Sequence, residues 1–137
     1  MIETKEAYIK AQRTGRSKRL DQASRNELWN VFDLYMRRCK ECRVMDVDQA
    51  ESMCAKKIAQ EPSLRHYHSI LVDECQDLRS PAYRLLRALA GEQREDDIFF
   101  SGDARQRIYK GKTSLNQCGI VVNNRSNTLK LNYRTTA

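Results

Sequence analysis

Apolar positions recur at spacings of three and four through Leu28, Val31, Phe32, Tyr35, Met36 and Cys39, the stripe of an amphipathic helix. Ser24, with Glu27 three residues on, has the spacing of a capping box and predicts the start of that helix. A second helix is expected from about Asp48, a candidate cap, through Ala50, Met53, Cys54 and Ile58. It must stop before Pro62, which disfavours helical backbone at the residue ahead of it.

After His66 the period changes. Ile70, Leu71 and Val72 run straight into Asp73, Glu74, Gln76 and Asp77, as in a strand covered on both faces whose carboxyl end opens into a ligand crevice. In "RSPAYRLLRALAG", Ser80 is placed to cap a helix, Pro81 suits its first position and Gly91 its end. Leu85, Leu86 and Leu89 supply the face that packs on the sheet. "DIFFSGDA" predicts a second strand at residues 98–100, and further strands are expected at 119–122 and 129–131. This alternation predicts an α/β fold, a mostly parallel sheet preceded by a helical segment, with its site at the strand ends. No internal repeat or low-complexity segment interrupts it.

The net charge of +7 over 137 residues is unevenly spread. Residues 1–25 carry +4 and residues 104–137 carry +7 with no acid, leaving −4 between them. Two basic ends around an acidic middle point to phosphate partners, nucleotide or nucleic acid, against the plainer reading of a solvated surface. The apolar runs are too short to cross a bilayer and "MIETKEAYIK" lacks the apolar core of a signal peptide, so a cytoplasmic protein with no membrane contact is expected. Five cysteines without a secretory signal imply reduced thiols. Cys39 and Cys42 have metal-ligand spacing, and His66 and His68 offer imidazoles. A closed zinc site wants four ligands in paired spacing and no second cysteine pair follows, so core or surface thiols are expected.

Three polar clusters carry the candidate chemistry. An Asp73 carboxylate at a strand end suits magnesium, which takes few carboxylates and keeps its waters, and an adjacent Glu74 suits polarising an attacking water. "GDARQRIY" adds Gly102 for close backbone approach and Gln106 as a neutral donor and acceptor. "LNYRTT" adds Tyr133 as a stacking surface and Arg134 as a planar fork for phosphate oxygens. Each alone is ordinarily a solvated acid, a core aromatic or a surface charge; together, in this order, they need three coincidences.

"ILVDECQD", "GDARQRIY" and "LNYRTT" resemble the second, third and fourth motifs of superfamily 1 DNA helicases of the UvrD/Rep/PcrA type, over residues 69–137. More loosely, "LWNVFDLYMRR" and "MDVDQAE" resemble the helical insertion that precedes the second motif. The resemblance implies a helical 1B-like insertion over residues 1–65 and part of a RecA-like first motor lobe over residues 66–137. It implies that Asp73 organises the magnesium of ATP and Glu74 activates the hydrolytic water. Gln106 would sense the terminal phosphate, Tyr133 would stack on the adenine, and Arg134 would stabilise charge in the transition state. Tyr109, Lys110 and Lys112 would lie near single-stranded DNA.

Two departures bear on that reading. Gly111 and Lys112 stand where many relatives carry an aromatic and an arginine, which weakens base stacking there. No phosphate loop is present: "GKT" at residues 111–113 follows the third motif, and Gln106 stands where the pattern needs its first glycine. The sequence thus resembles an interior slice of a helicase, an enzyme only with the remainder of the motor, and residues 1–137 alone are expected to hydrolyse no ATP. The alternatives are a non-catalytic DNA- or protein-binding module and, less favoured, a small nucleotide-binding regulator. An incomplete sheet also predicts self-association through exposed strand edges.

Overall fold

The computed structural model describes residues 4–11, 20–65, 67–103, 114–122 and 124–129. Four helices (α1, Lys5–Lys10; α2, Gln22–Cys42; α3, Val47–Gln60; α4, Ser80–Ala90) and two strands (β1, Ile70–Val72; β2, Ile98–Phe100) occur among them, with short 3-10 turns between. Both strands sit where the apolar runs predict them. They pair in parallel with Ile70 opposite Ile98, Leu71 opposite Phe99 and Val72 opposite Phe100. A parallel pair needs a crossover, and α4 supplies it, making one strand-helix-strand unit.

The helix starts differ from expectation. Asp21, not Ser24, caps α2, because its carboxylate accepts the Ser24 backbone N–H at 2.7 Å. That hydrogen bond holds the Asp21 carboxyl below its ordinary pKa. Asp46, not Asp48, caps α3: it accepts the Gln49 N–H at 2.7 Å while the Gln49 side chain accepts the Asp46 N–H at 3.2 Å, a full capping box. Asp48 lies in the first turn and pairs with Arg79 at 2.8 Å, tying α3 to the start of α4. Arg79 is the N-cap of α4, so Ser80 already belongs to the helix and Pro81 follows in the first turn, where its missing N–H costs nothing. Gly91 ends α4 at a φ of 81°, a conformation open to glycine.

Residues 119–122 form no strand. Gly119 closes a 3-10 turn, Asn116–Cys118, at a φ of 77°, and the Ile120 N–H donates to the Leu115 carbonyl at 3.0 Å. Cys118 and Ile120 are apolar because they pack on Tyr83 of α4, with Leu78, Phe100 and Leu115 around them. Tyr83 meets the edge of Phe100 at 5.5 Å, so this cluster fastens α4 to β2. Of the strand expected at 129–131, Leu129 is irregular and exposed and the rest lies outside the described residues.

α3 runs against α4, and the Tyr83–Phe100 contact joins α4 to the strand pair. A buried ion pair reinforces the unit: Arg87 of α4 meets Asp97, just before β2, at 2.6 Å, with the side chains 12% and 10% exposed. Burial raises the Asp97 carboxyl pKa, but the Arg94 N–H at 2.9 Å, the Arg87 guanidinium and the Ile98 N–H outweigh it, and the net direction is downward. α2 carries no buried residue. Arg25 near its start donates to the carbonyls of Tyr8, Ile9 and Ala11 at 3.0, 2.6 and 3.0 Å, so this cation of the basic first segment caps α1. Among the described residues, no helix is long and apolar enough to cross a membrane.

Candidate active site

The carboxyl ends of β1 and β2 lie side by side, and the acids singled out in the sequence stand there. Asp73 and Glu74 are both exposed immediately after Val72. Glu74 holds a left-handed backbone at a φ of 51°, uncommon outside glycine and asparagine, and the Asp73 carboxylate accepts its N–H at 2.9 Å. The chain then tightens into a 3-10 turn, Cys75–Asp77. The Tyr83 hydroxyl donates to the Cys75 carbonyl at 2.6 Å, fixing the turn from the buried face of α4.

The second strand is bound to this turn through backbone and side chain alike. The Ser101 N–H donates to the Val72 carbonyl at 2.8 Å and the Cys75 N–H to the Ser101 carbonyl at 2.9 Å, continuing the ladder past both strands. Gln76, 8% exposed, donates from Nε2 to Glu74 Oε2 at 2.6 Å and accepts the Asp103 N–H on Oε1 at 3.0 Å. Gly102 is where close approach matters: a Cβ there would stand 2.5 Å from Gln76 Oε1, 2.9 Å from Cys75 Sγ and 3.1 Å from the Cys75 nitrogen. The glycine of "GDARQRIY" therefore lets the two strand ends meet.

The structure thus brings Asp73, Glu74, Gly102 and Asp103 into one place. Gln106, Tyr109, Lys110, Lys112, Tyr133 and Arg134 lie outside the described residues. Gln76 is visible in the sequence only as one amide in a polar cluster; its link to residue 103 depends on strands brought together by the fold. Cys39 and Cys42 close α2 as free thiols, and among the described residues no three histidine, cysteine or acidic side chains converge as a metal cluster. Asp103 is tied in through its backbone N–H, and the adjacent pair Asp73 and Glu74 supplies the two exposed carboxylates at the end of β1. Their hard oxygens suit a magnesium ion that keeps most of its waters, so the donor set fits the ion the sequence implies.

An apolar groove of about 440 Å³ between α1 and α2 is a separate feature, lined by Tyr8, Leu28, Trp29 and Phe32. Trp29 stacks at a tilt between Tyr8 and Phe32, at 5.7 and 5.4 Å.

Residues 2–117 match the family described as UvrD/REP helicase N-terminal domain. A helicase/nuclease component of Natranaerobius thermophilus, ATP-dependent by its description, is 30% identical over 87 residues, 59% of this chain and 7% of that protein. The chain therefore spans a small part of that relative's length. No solved structure matches. With the matched region covering most of the chain and the acid-ended parallel strands lying inside it, this protein belongs to the UvrD/REP helicase N-terminal domain family.

Proposed function

We propose that this chain supplies part of the RecA-like first motor lobe of a UvrD/Rep-type ATP-dependent DNA helicase or translocase, with residues 1–65 as its helical insertion. One observation carries the reading: Asp73 and Glu74 stand exposed at the carboxyl end of β1, and Glu74 is linked through Gln76 to Asp103 at the matching end of its parallel neighbour. In open α/β sheets ligands bind outside that end. Asp73 offers a carboxylate for the magnesium of ATP, and Glu74 beside it orients a water and takes its proton. Magnesium, when bound, offsets the charge that develops on the phosphates.

The remaining roles extend the same family pattern. Gln106 reads the terminal phosphate, Tyr133 stacks on the adenine and Arg134 supplies a fixed positive fork to the transferring group. Tyr109, Lys110 and Lys112 contact single-stranded DNA by stacking and charge, in a basic stretch that contains no acid from residue 104 onward.

A chimera tests the proposal. In a UvrD/Rep-type helicase whose matching segment is replaced by residues 2–117, DNA-stimulated ATP turnover should persist and should fall about a hundredfold or more in Glu74→Gln. The 137-residue chain alone should show no turnover above its own Glu74→Gln control, because it carries no phosphate loop. A folded chimera that turns over ATP equally with and without Glu74 would sink the reading.

A further inference from the structure

Gln76 stands between the two strand ends and has no part in the roles assigned above. Its amide meets a demand that few side chains can. Glu74 Oε2 needs a donor and the Asp103 N–H needs an acceptor, 2.6 and 3.0 Å away on opposite ends of one group. A primary amide offers both at once, from separate atoms and without a charge; a carboxylate would serve Asp103 and repel Glu74. The surroundings leave the amide little room. Gln76 is buried, and Gly102 lies so close that any Cβ would stand 2.5 Å from Oε1.

The backbone around Glu74 is already fixed, by the left-handed conformation of that residue, by the bond from its N–H to Asp73 and by the Tyr83 hydroxyl on the Cys75 carbonyl. What remains free in an exposed glutamate is its side chain, and Gln76 takes up that freedom through a short, charge-assisted hydrogen bond. We infer that Gln76 is a positioning residue that sets the Glu74 carboxylate relative to the Gly102–Asp103 segment. This inference rests on the reading of Glu74 as the group that activates water.

The experiment has one arm on the chain itself and one on turnover. In the 137-residue chain, nuclear magnetic resonance should show the Gln76 side-chain amide shifted and protected, and Glu74→Ala should diminish both. The Asp103 backbone amide should exchange about fivefold faster in Gln76→Met, the loss of one ordinary hydrogen bond, and at the native rate in Gln76→Glu, which keeps the acceptor. In the chimera, Gln76→Glu should lower kcat about ten- to a hundredfold while KM for ATP changes less than about twofold. A Gln76 amide indifferent to Glu74→Ala overturns the inference, and so does full kcat in Gln76→Glu where Glu74→Gln is inactive. A chimera without Glu74-dependent turnover instead refutes the functional reading, and the resonance arm alone then decides whether Gln76 holds the two ends together.

Discussion

Replacing Arg87 with methionine isolates the buried ion pair between α4 and the start of β2. The substitution keeps most of the aliphatic stem and leaves the Asp97 carboxylate, 10% exposed, without the guanidinium 2.6 Å away. Removing one partner of a fully buried pair costs about 3–5 kcal/mol. Here Asp97 retains the Arg94 N–H at 2.9 Å and a little solvent, so the expected loss is nearer the value of a charged hydrogen bond, about 2–3 kcal/mol. Arg87 also donates from Nε to the Gly91 carbonyl at 3.1 Å, which adds to the cost at the end of α4. Urea titration followed by circular dichroism measures this as a lower midpoint at unchanged slope. Asp97→Asn in the Arg87→Met background should recover part of the loss, since the amide oxygen still accepts the Arg94 N–H and no buried charge is left over. The pH dependence has a definite sign. The folded Asp97 carboxyl lies below its ordinary value, so its stabilisation is complete above about pH 4, the unfolded carboxyl range, and is lost as pH falls through the folded pKa. The gap between native protein and Arg87→Met should therefore narrow in acid. A difference under about 0.5 kcal/mol at pH 7, the scatter of neutral surface substitutions, would refute the reasoning.

Gly102→Ala should cost about 1–3 kcal/mol, because its Cβ meets Gln76 and the Cys75 backbone, and thermal denaturation reads that loss directly. Asp46→Ala removes the capping box of α3 and should cost about 1 kcal/mol, with the loss of protection in amide exchange confined to the first turn of that helix. The outer face of the strand pair exposes Leu71 by 78% and Phe99 by 63%, directly opposite each other, so concentrated protein should self-associate and Phe99→Lys should weaken that association. Light scattering that gives a monomer at every concentration would contradict it.

How much of this is legible in the sequence depends on the range of the interaction that decides each feature. The strands are readable because three apolar residues between polar clusters have few alternatives, and their parallel pairing follows from the intervening helix. The caps are not, because Asp21 and Ser24, Asp46 and Asp48, and Arg79 and Ser80 each offer competing starts within one turn. For α2 and α3 the winner is the aspartate whose oxygen reaches the N–H three residues on, whereas Arg79 caps α4 with no side-chain hydrogen bond and so leaves no local mark. Residues 119–122 show a different limit. Apolarity reports burial, and burial of Cys118 and Ile120 against Tyr83 needs no sheet, so a left-handed Gly119 converts an expected strand into a packed turn. The stripe on α2 shows the converse: Val31 is 67% exposed and Phe32 42%, so the periodicity identifies the helix and an apolar face but not a partner for that face. At the site, Asp73 and Glu74 announce themselves by following a strand, whereas Gln76 acquires its place only when residue 103 arrives from the next strand. A side chain that links two strand ends is defined by their register. Reading it therefore requires the fold first, and that is why the positioning amide, rather than the acids, is the element of this site that the sequence leaves hidden.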